Sequence, residues 1–180
     1  MRLIDCVYSP TSLISTEAHS YGESNIKIGE HSRIDHGCIL IGDILIGDYV
    51  HIAPYCVLYG KSGIQIDSYS GVGAFSVLHS EADDYSGVSI CSPLVQEWMR
   101  KPAKGKITMK RLSNLGTRCT VLPGVTLNVG AAVGAHSLVK SDCGAWGIYA
   151  GTPARWLKTR DLACEGLSYQ NDGYSYGAMG

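Results

Sequence analysis

An aliphatic or methionine side chain recurs at every sixth position along much of the chain. The series runs Ile28, Ile34, Leu40, Ile46, Ile52 and Leu58, slips by two residues, and continues through Ile66, Val72 and Leu78. After a gap it returns as Met109, Leu115, Val121, Leu127, Val133 and Val139. Four positions after most of these anchors stands a second, mostly small residue: Ser32, Cys38, Ile44, Val50 and Cys56, then Ser70 and Ser76, and later Ser113, Cys119, Val125, Ala131 and Ser137. A period of six fits neither the 3.6 of an amphipathic helix nor the simple alternation of a half-buried strand. It predicts a parallel β-helix, in which each hexad supplies one short strand and one turn, and three hexads close a triangular coil. Nine hexads before the gap and six after it make about five coils. Glycines after the anchors, at Gly29, Gly47, Gly73, Gly116 and Gly134, are expected to serve bends with unusual dihedrals.

Outside the ladder the register is lost in three places. Residues 1–25 are expected to cap the first coil, and residues 26–143 to form the β-helical domain, interrupted by a long excursion at 79–106. A loop of that length inside a compact domain is usually functional. Residues 144–180 are expected to hold a short helix in ARWLKTRDLA, behind Pro153, and a poorly ordered polar tail, LSYQNDGYSYGAMG.

Composition narrows the function. Fifteen Lys and Arg balance sixteen Asp and Glu, which argues against nucleic acid as a partner. No apolar stretch approaches the roughly 18 residues of a membrane span, and Asp5 stands where a signal peptide needs an apolar run, so the chain reads as cytoplasmic. Seven cysteines without a CxxC pair suggest neither a disulfide framework nor a zinc knuckle. Cys38, Cys56 and Cys119 fall on inward corner positions and are expected to pack rather than react. Glycine, at 22 residues, is well above average, and 11 Tyr stand beside a single Phe.

The hexads, a histidine at the start of the excursion, the run VLPGVTLNVGAAVGAHSLVK and the closing WGIYAGTPARWLK together resemble the hexapeptide-repeat acetyltransferases over about residues 26–160. The resemblance is to the sugar O-acetyltransferase branch, with galactoside, maltose and surface-polysaccharide acetyltransferases; DDYSG at Asp83–Gly87 is similar to the last group. It implies a left-handed helix, whereas parallel crossovers in general are right-handed. It also implies a homotrimer, with acetyl-CoA as donor in the groove between subunits, and no metal. The implied reaction is acetyl transfer to a hydroxyl of a sugar or glycan precursor, with an amino-sugar acceptor as the alternative.

That chemistry needs a base, and a neutral imidazole suits it. His79, at the entrance to the excursion, is the catalytic candidate, as in related acetyltransferases. His51 is the reserve, as base or as a group holding the sugar. Asp83, Asp84 and Tyr85 are candidates to orient the acceptor, since carboxylates accept hydrogen bonds from sugar hydroxyls. For the donor, the galactoside acetyltransferase pattern carries over to Thr117, Ala135, Lys140, Arg155 and Lys158, the basic residues pairing with coenzyme A phosphates. Two rival readings remain. A zinc hydratase of the γ-carbonic anhydrase kind would use His31 and His36, but no third histidine falls at the expected upstream position. A non-catalytic or ice-binding β-helix would have little use for the AGTPAR segment and would want outward Thr arrays in place of Lys27, Arg33, Tyr49 and Tyr69.

Overall fold

The computed structural model describes residues 6–173 and is a stack of triangular coils. On the first face, strands through Ile28, Ile46, Ile66, Met109 and Leu127 pair in parallel, each with the next. On the second face the pairs run Ile34, Ile52, Val72, Leu115, Val133 and Tyr149. The third face carries Leu40, Leu58, Leu78, Val121 and Val139. Strands Ile39–Ile46 and Val57–Ile66 run continuously round the corner between the third and first faces. The two-residue slip in the sequence is an irregularity there: Ile41 pairs with Tyr59, but Ile44 pairs with Ile64.

All fifteen anchors are buried, none more than 5% exposed. The second series is buried as well, and the fold gives it a task beyond filling space. Ser32 Oγ donates to the Gly47 carbonyl at 2.8 Å and accepts from Val50 N at 2.9 Å. Ser76 makes the same pair of bonds with the Gly116 carbonyl and Cys119 N, both at 3.1 Å. The thiols of Cys38, Cys56 and Cys119 donate to carbonyls of the next coil, each at 3.2 Å. Serine and cysteine interchange at these corners because both are small and carry one donor. Burial pushes the Cys119 and Cys143 thiols up, the latter to about 11, which keeps both protonated.

The glycines after the anchors serve a different purpose from the one expected. None of Gly29, Gly47, Gly73, Gly116 and Gly134 has a positive φ. A Cβ on Gly73 would lie 2.6 Å from the Gly116 carbonyl carbon, and one on Gly116 would lie 2.6 Å from Ala135 N. Close approach of successive coils therefore excludes a side chain there. Left-handed backbone is carried by other glycines, such as Gly37 and Gly130, and as often by bulky residues, among them His31, Tyr49, Tyr69, Tyr55, Phe75 and Arg118. Such a conformation costs roughly 1–2 kcal/mol per residue. Stacking offsets it: His31 on Tyr49 and Tyr49 on Tyr69 at 4.9 Å, Tyr55 on Phe75 at 5.1 Å, with the Arg111 guanidinium 4.5 Å from the Tyr69 centroid. These outer ladders account for part of the chain's tyrosine.

Both ends carry strands that the hexad register does not show. Cys6–Tyr8 and Leu13–Ile14, in the segment read as a cap, pair in parallel with the strands at Ile26–Ile28 and Arg33–Ile34. At the other end Gly147–Gly151 stacks on Ala132–Val133, and Ala154–Thr159 returns antiparallel to it. ARWLKT is thus a strand, because the free edge of Gly147–Gly151 offers backbone hydrogen bonds that outweigh a modest helix propensity. Arg160 donates to the carbonyls of Leu112 and Gly130, at 2.8 and 3.0 Å, and ends that strand. The helix follows at Ala163–Gly173, with Asp161 accepting from Ala163 N at 2.8 Å. Part of the expected tail is therefore helical, held by Asn171 donating to the Tyr69 hydroxyl at 2.6 Å; residues 174–180 lie outside the described residues.

The excursion leaves after Val77–His79, and Ile107 rejoins the first face opposite Ile64. Its base is pinched by Glu81–Ala82 pairing antiparallel with Ala103–Lys104.

Candidate active site

Alternation along Val77–His79 turns Leu78 into the core and leaves His79 facing out, at the edge where the coil gives way to the excursion. Its ring lies parallel to that of Tyr59 one coil below, 5.0 Å between centroids and 12° between planes. Partial burial lowers the His79 pKa below the ordinary 6.5, so the imidazole is neutral at pH 7 and able to accept a proton. Tyr59 is itself shifted upward, first by burial and then by the neighbouring Tyr21 phenol. Beneath them Ser80 closes the corner, donating to the Tyr59 carbonyl and accepting from Ser62 N, both at 2.9 Å.

The excursion roofs this edge and encloses a cleft of about 560 Å³ lined by His79, Tyr59, Tyr21, Lys61, Glu81, Asp83 and Arg100, among others. Two ion pairs stiffen its walls: Asp83 with Arg100 at 3.2 Å, and Glu81 with Lys104 at 3.7 Å; Glu81 also accepts from Ser62 Oγ at 2.7 Å. A second cleft of about 640 Å³ adjoins it toward the N-terminal coils and shares Tyr21, Ile41 and Lys61 with it.

Of the candidates for base and acceptor binding, His79 and Asp83 both line this cleft. Asp84 and Tyr85 do not line it: Asp84 accepts from Ser86 N and Oγ, at 2.9 and 2.8 Å, and shapes the loop, while Tyr85 is 88% exposed. His51 lies on the second face, away from this edge, with Nε2 2.8 Å from Asp35 Oδ2; Arg33 Nε is 2.6 Å from the other oxygen. Burial alone would raise the Asp35 pKa, but hydrogen bonds from His51 and Arg33 outweigh it and hold the carboxyl below its usual range. His31 and His36 sit at two different corners, against Tyr49 and Tyr55, and do not converge.

The donor candidates divide between two corners. Thr117 and Ala135 are at the corner between the second and third faces, where Thr117 Oγ1 donates to the Ala74 carbonyl at 2.6 Å. Lys140 is on the His79 edge: Leu78, Val121 and Val139 are in register, and one residue further lie His79 and, two coils on, Lys140. Arg155 and Lys158 are exposed on the returning strand Ala154–Thr159. Sequence reasoning missed Tyr21, Tyr59, Lys61, Glu81 and Arg100. The hexad register could have found Tyr59, one coil before His79 with the two-residue slip counted; Arg100 carries no such signal, since only the fold of the excursion brings it to Asp83.

Residues 25–60 match the family described as bacterial transferase hexapeptide (six repeats). Over 150 residues the chain is 36% identical to a dTDP-4-amino-4,6-dideoxy-D-glucose acyltransferase of Escherichia coli, covering 82% of this chain and 78% of the relative. The chain belongs to the hexapeptide-repeat acyltransferases. A more distant relative in that family, 29% identical over 144 residues, 77% of this chain and 70% of its own, is a putative lipopolysaccharide biosynthesis O-acetyl transferase of E. coli K12. Among solved structures, a point variant of AntD of Bacillus cereus, an N-acyltransferase, in complex with dTDP and coenzyme A superposes with a TM-score of 0.89 at 32% identity, over 93% of this chain and 91% of that one. A variant of AntD in complex with dTDP-4-amino-4,6-dideoxyglucose and coenzyme A gives 0.89 at 33% identity, over 93% and 90%. The coils of this acyltransferase are accordingly left-handed, against the general preference of parallel crossovers. A non-catalytic scaffold is set aside by the 36% relative, and the reaction is acyl transfer from a thioester donor to a sugar.

Proposed function

We propose that this enzyme transfers an acyl group, acetyl in the simplest case, from coenzyme A to the amino group of a nucleotide-linked amino sugar, with His79 as general base. The observation that carries the reading is the neutral imidazole of His79 inside the cleft under the excursion. The relatives supply the substrate class: one is named for a dTDP-linked 4-amino sugar, and another was solved with that sugar and coenzyme A.

In the proposed reaction the sugar nitrogen attacks the thioester carbonyl carbon and passes a proton to His79 Nδ1 or Nε2. The tetrahedral intermediate then expels the thiol sulfur, and the proton returns to it as the C–S bond breaks. Asp83, held by Arg100, orients the acceptor from the excursion side. Thr117 and Ala135 on one corner, and Lys140 on another, contact the donor where neighbouring copies of a trimer form a groove, with Arg155 and Lys158 toward its phosphates. The supply of acyl-CoA puts the proposed location in the cytoplasm. Among the described residues no helix is long and apolar enough to cross a membrane.

A sugar hydroxyl is the second reading, favoured by the O-acetyl transferase relative and by the base itself, which a hydroxyl needs more than an amine does. The test is turnover of dTDP-4-amino-4,6-dideoxyglucose and of hydroxyl-bearing nucleotide sugars and glycans with acetyl-CoA, followed by thiol release and product mass. An alkali-stable product of the amino sugar is expected, and an alkali-labile product from hydroxyl acceptors alone would reverse the order of the two readings. His79→Ala should cut kcat by about 10²–10⁴ with coenzyme A affinity unchanged by calorimetry, and full turnover would remove His79 from its role.

A further inference from the structure

A histidine that serves as a base usually has its tautomer and ring plane set by a hydrogen bond from the second nitrogen to a carboxylate or carbonyl. Among the described residues no carboxylate hydrogen-bonds His79. The two that line the cleft are otherwise engaged, Glu81 with Ser62 and Lys104, and Asp83 with Arg100. The imidazole's contact is the parallel face of Tyr59, 5.0 Å away and on the neighbouring strand in register with it. Tyr21, from the N-terminal coils, lines the same cleft beside Tyr59 and His79.

We propose that Tyr59 is the positioning residue of His79, holding the imidazole plane against the coil edge. The inference rests on His79 being the base. Without the phenol face, the imidazole is free to rotate about its side-chain torsions and to take up water. Misplacing a reacting group by about an ångström costs on the order of 10²-fold in rate. The charged and titratable groups that face His79 are Tyr59 and Tyr21 on the coils, Lys61 at the corner, and Glu81, Asp83 and Arg100 on the excursion. Apart from Tyr59 itself, none of them is altered by a change at Tyr59 to a residue without charge.

Tyr59→Val suits the strand, whose neighbours in sequence and register include Val57 and Val77. It should lower kcat by about 10- to 100-fold with the KM for acetyl-CoA within about twofold, using dTDP-4-amino-4,6-dideoxyglucose as acceptor. The imidazole titration, followed by NMR on the free enzyme, should move to higher pH as the ring gains water, and the ring-current shift of its carbon-bound protons should disappear. Tyr59→Phe keeps the ring face and should retain kcat within about fivefold together with the ring-current shift. Unchanged imidazole signals in Tyr59→Val, or a fall in kcat with no movement of the titration, would overturn the positioning role. A loss in Tyr59→Phe as large as that in Tyr59→Val would overturn the role of the ring face. The NMR readout does not depend on the acceptor, and Tyr59→Thr, a second variant without the ring, is measured if Tyr59→Val does not fold. Full turnover by His79→Ala would count against the base itself, and so separates that failure from this one.

Discussion

At the scale of single residues, two protonation equilibria make opposite demands. His79 has its pKa lowered by burial, so its base form persists below the ordinary value of about 6.5. The acid limb of kcat/KM is expected below pH 6.5; a limb above it would mean that a different group, or a more hydrated imidazole, accepts the proton. Asp35 is held down by His51 and Arg33 against its own burial. A carboxyl with a depressed folded pKa stabilises the fold above the unfolded value, about 3.9, and that contribution is lost as pH falls through the folded pKa. Thermal unfolding should therefore lose stability below about pH 4, and Asp35→Asn should lower the melting temperature at pH 7 while flattening that acid decline. His51 was legible in the sequence as a chemically interesting residue, but its partner was not, because Asp35 and His51 meet only through the pairing of adjacent coils.

The elements show why a periodic sequence is read so well in one respect and poorly in another. Every anchor is buried as its spacing demanded, since a side chain repeating every six residues has one consistent direction in a three-sided coil. The reason for the glycines was misread, because their constraint comes from the coil above and not from their own dihedrals. The two kinds of glycine can be told apart by experiment. Gly116→Ala drives a Cβ to 2.6 Å from Ala135 N and should destabilise by about 1–3 kcal/mol or more, as overpacking does. Gly166→Ala, in the C-terminal helix with nothing within 4 Å, should stabilise by about 0.5–1 kcal/mol. Melting curves of the two variants are expected to move in opposite directions. The C-terminal strand was missed for a related reason: ARWLKT has no strong preference of its own, and the edge of Gly147–Gly151 selects the extended form.

For the whole molecule, the division of the donor candidates between two corners is the fact that bears most on assembly. If a trimer builds each groove from two copies, His79 and Lys140 come from one and Thr117 and Ala135 from another. Light scattering should then give three chain masses. Co-expressed His79→Ala and Ala135→Trp chains, each inactive alone, should regain activity in mixed assemblies; no recovery would mean that each copy carries a whole site. The amino-acid sequence by itself determined the coil, its inward ladder, the place of the excursion and the histidine at its mouth, because all of these follow from a short period that one chain segment displays without reference to any other. Only the tertiary structure decided what faces that histidine, which carboxylates are already engaged, and why the corners are rich in tyrosine. Those are relations between residues one coil or a whole excursion apart, and stacking brings them together at distances that no local pattern encodes.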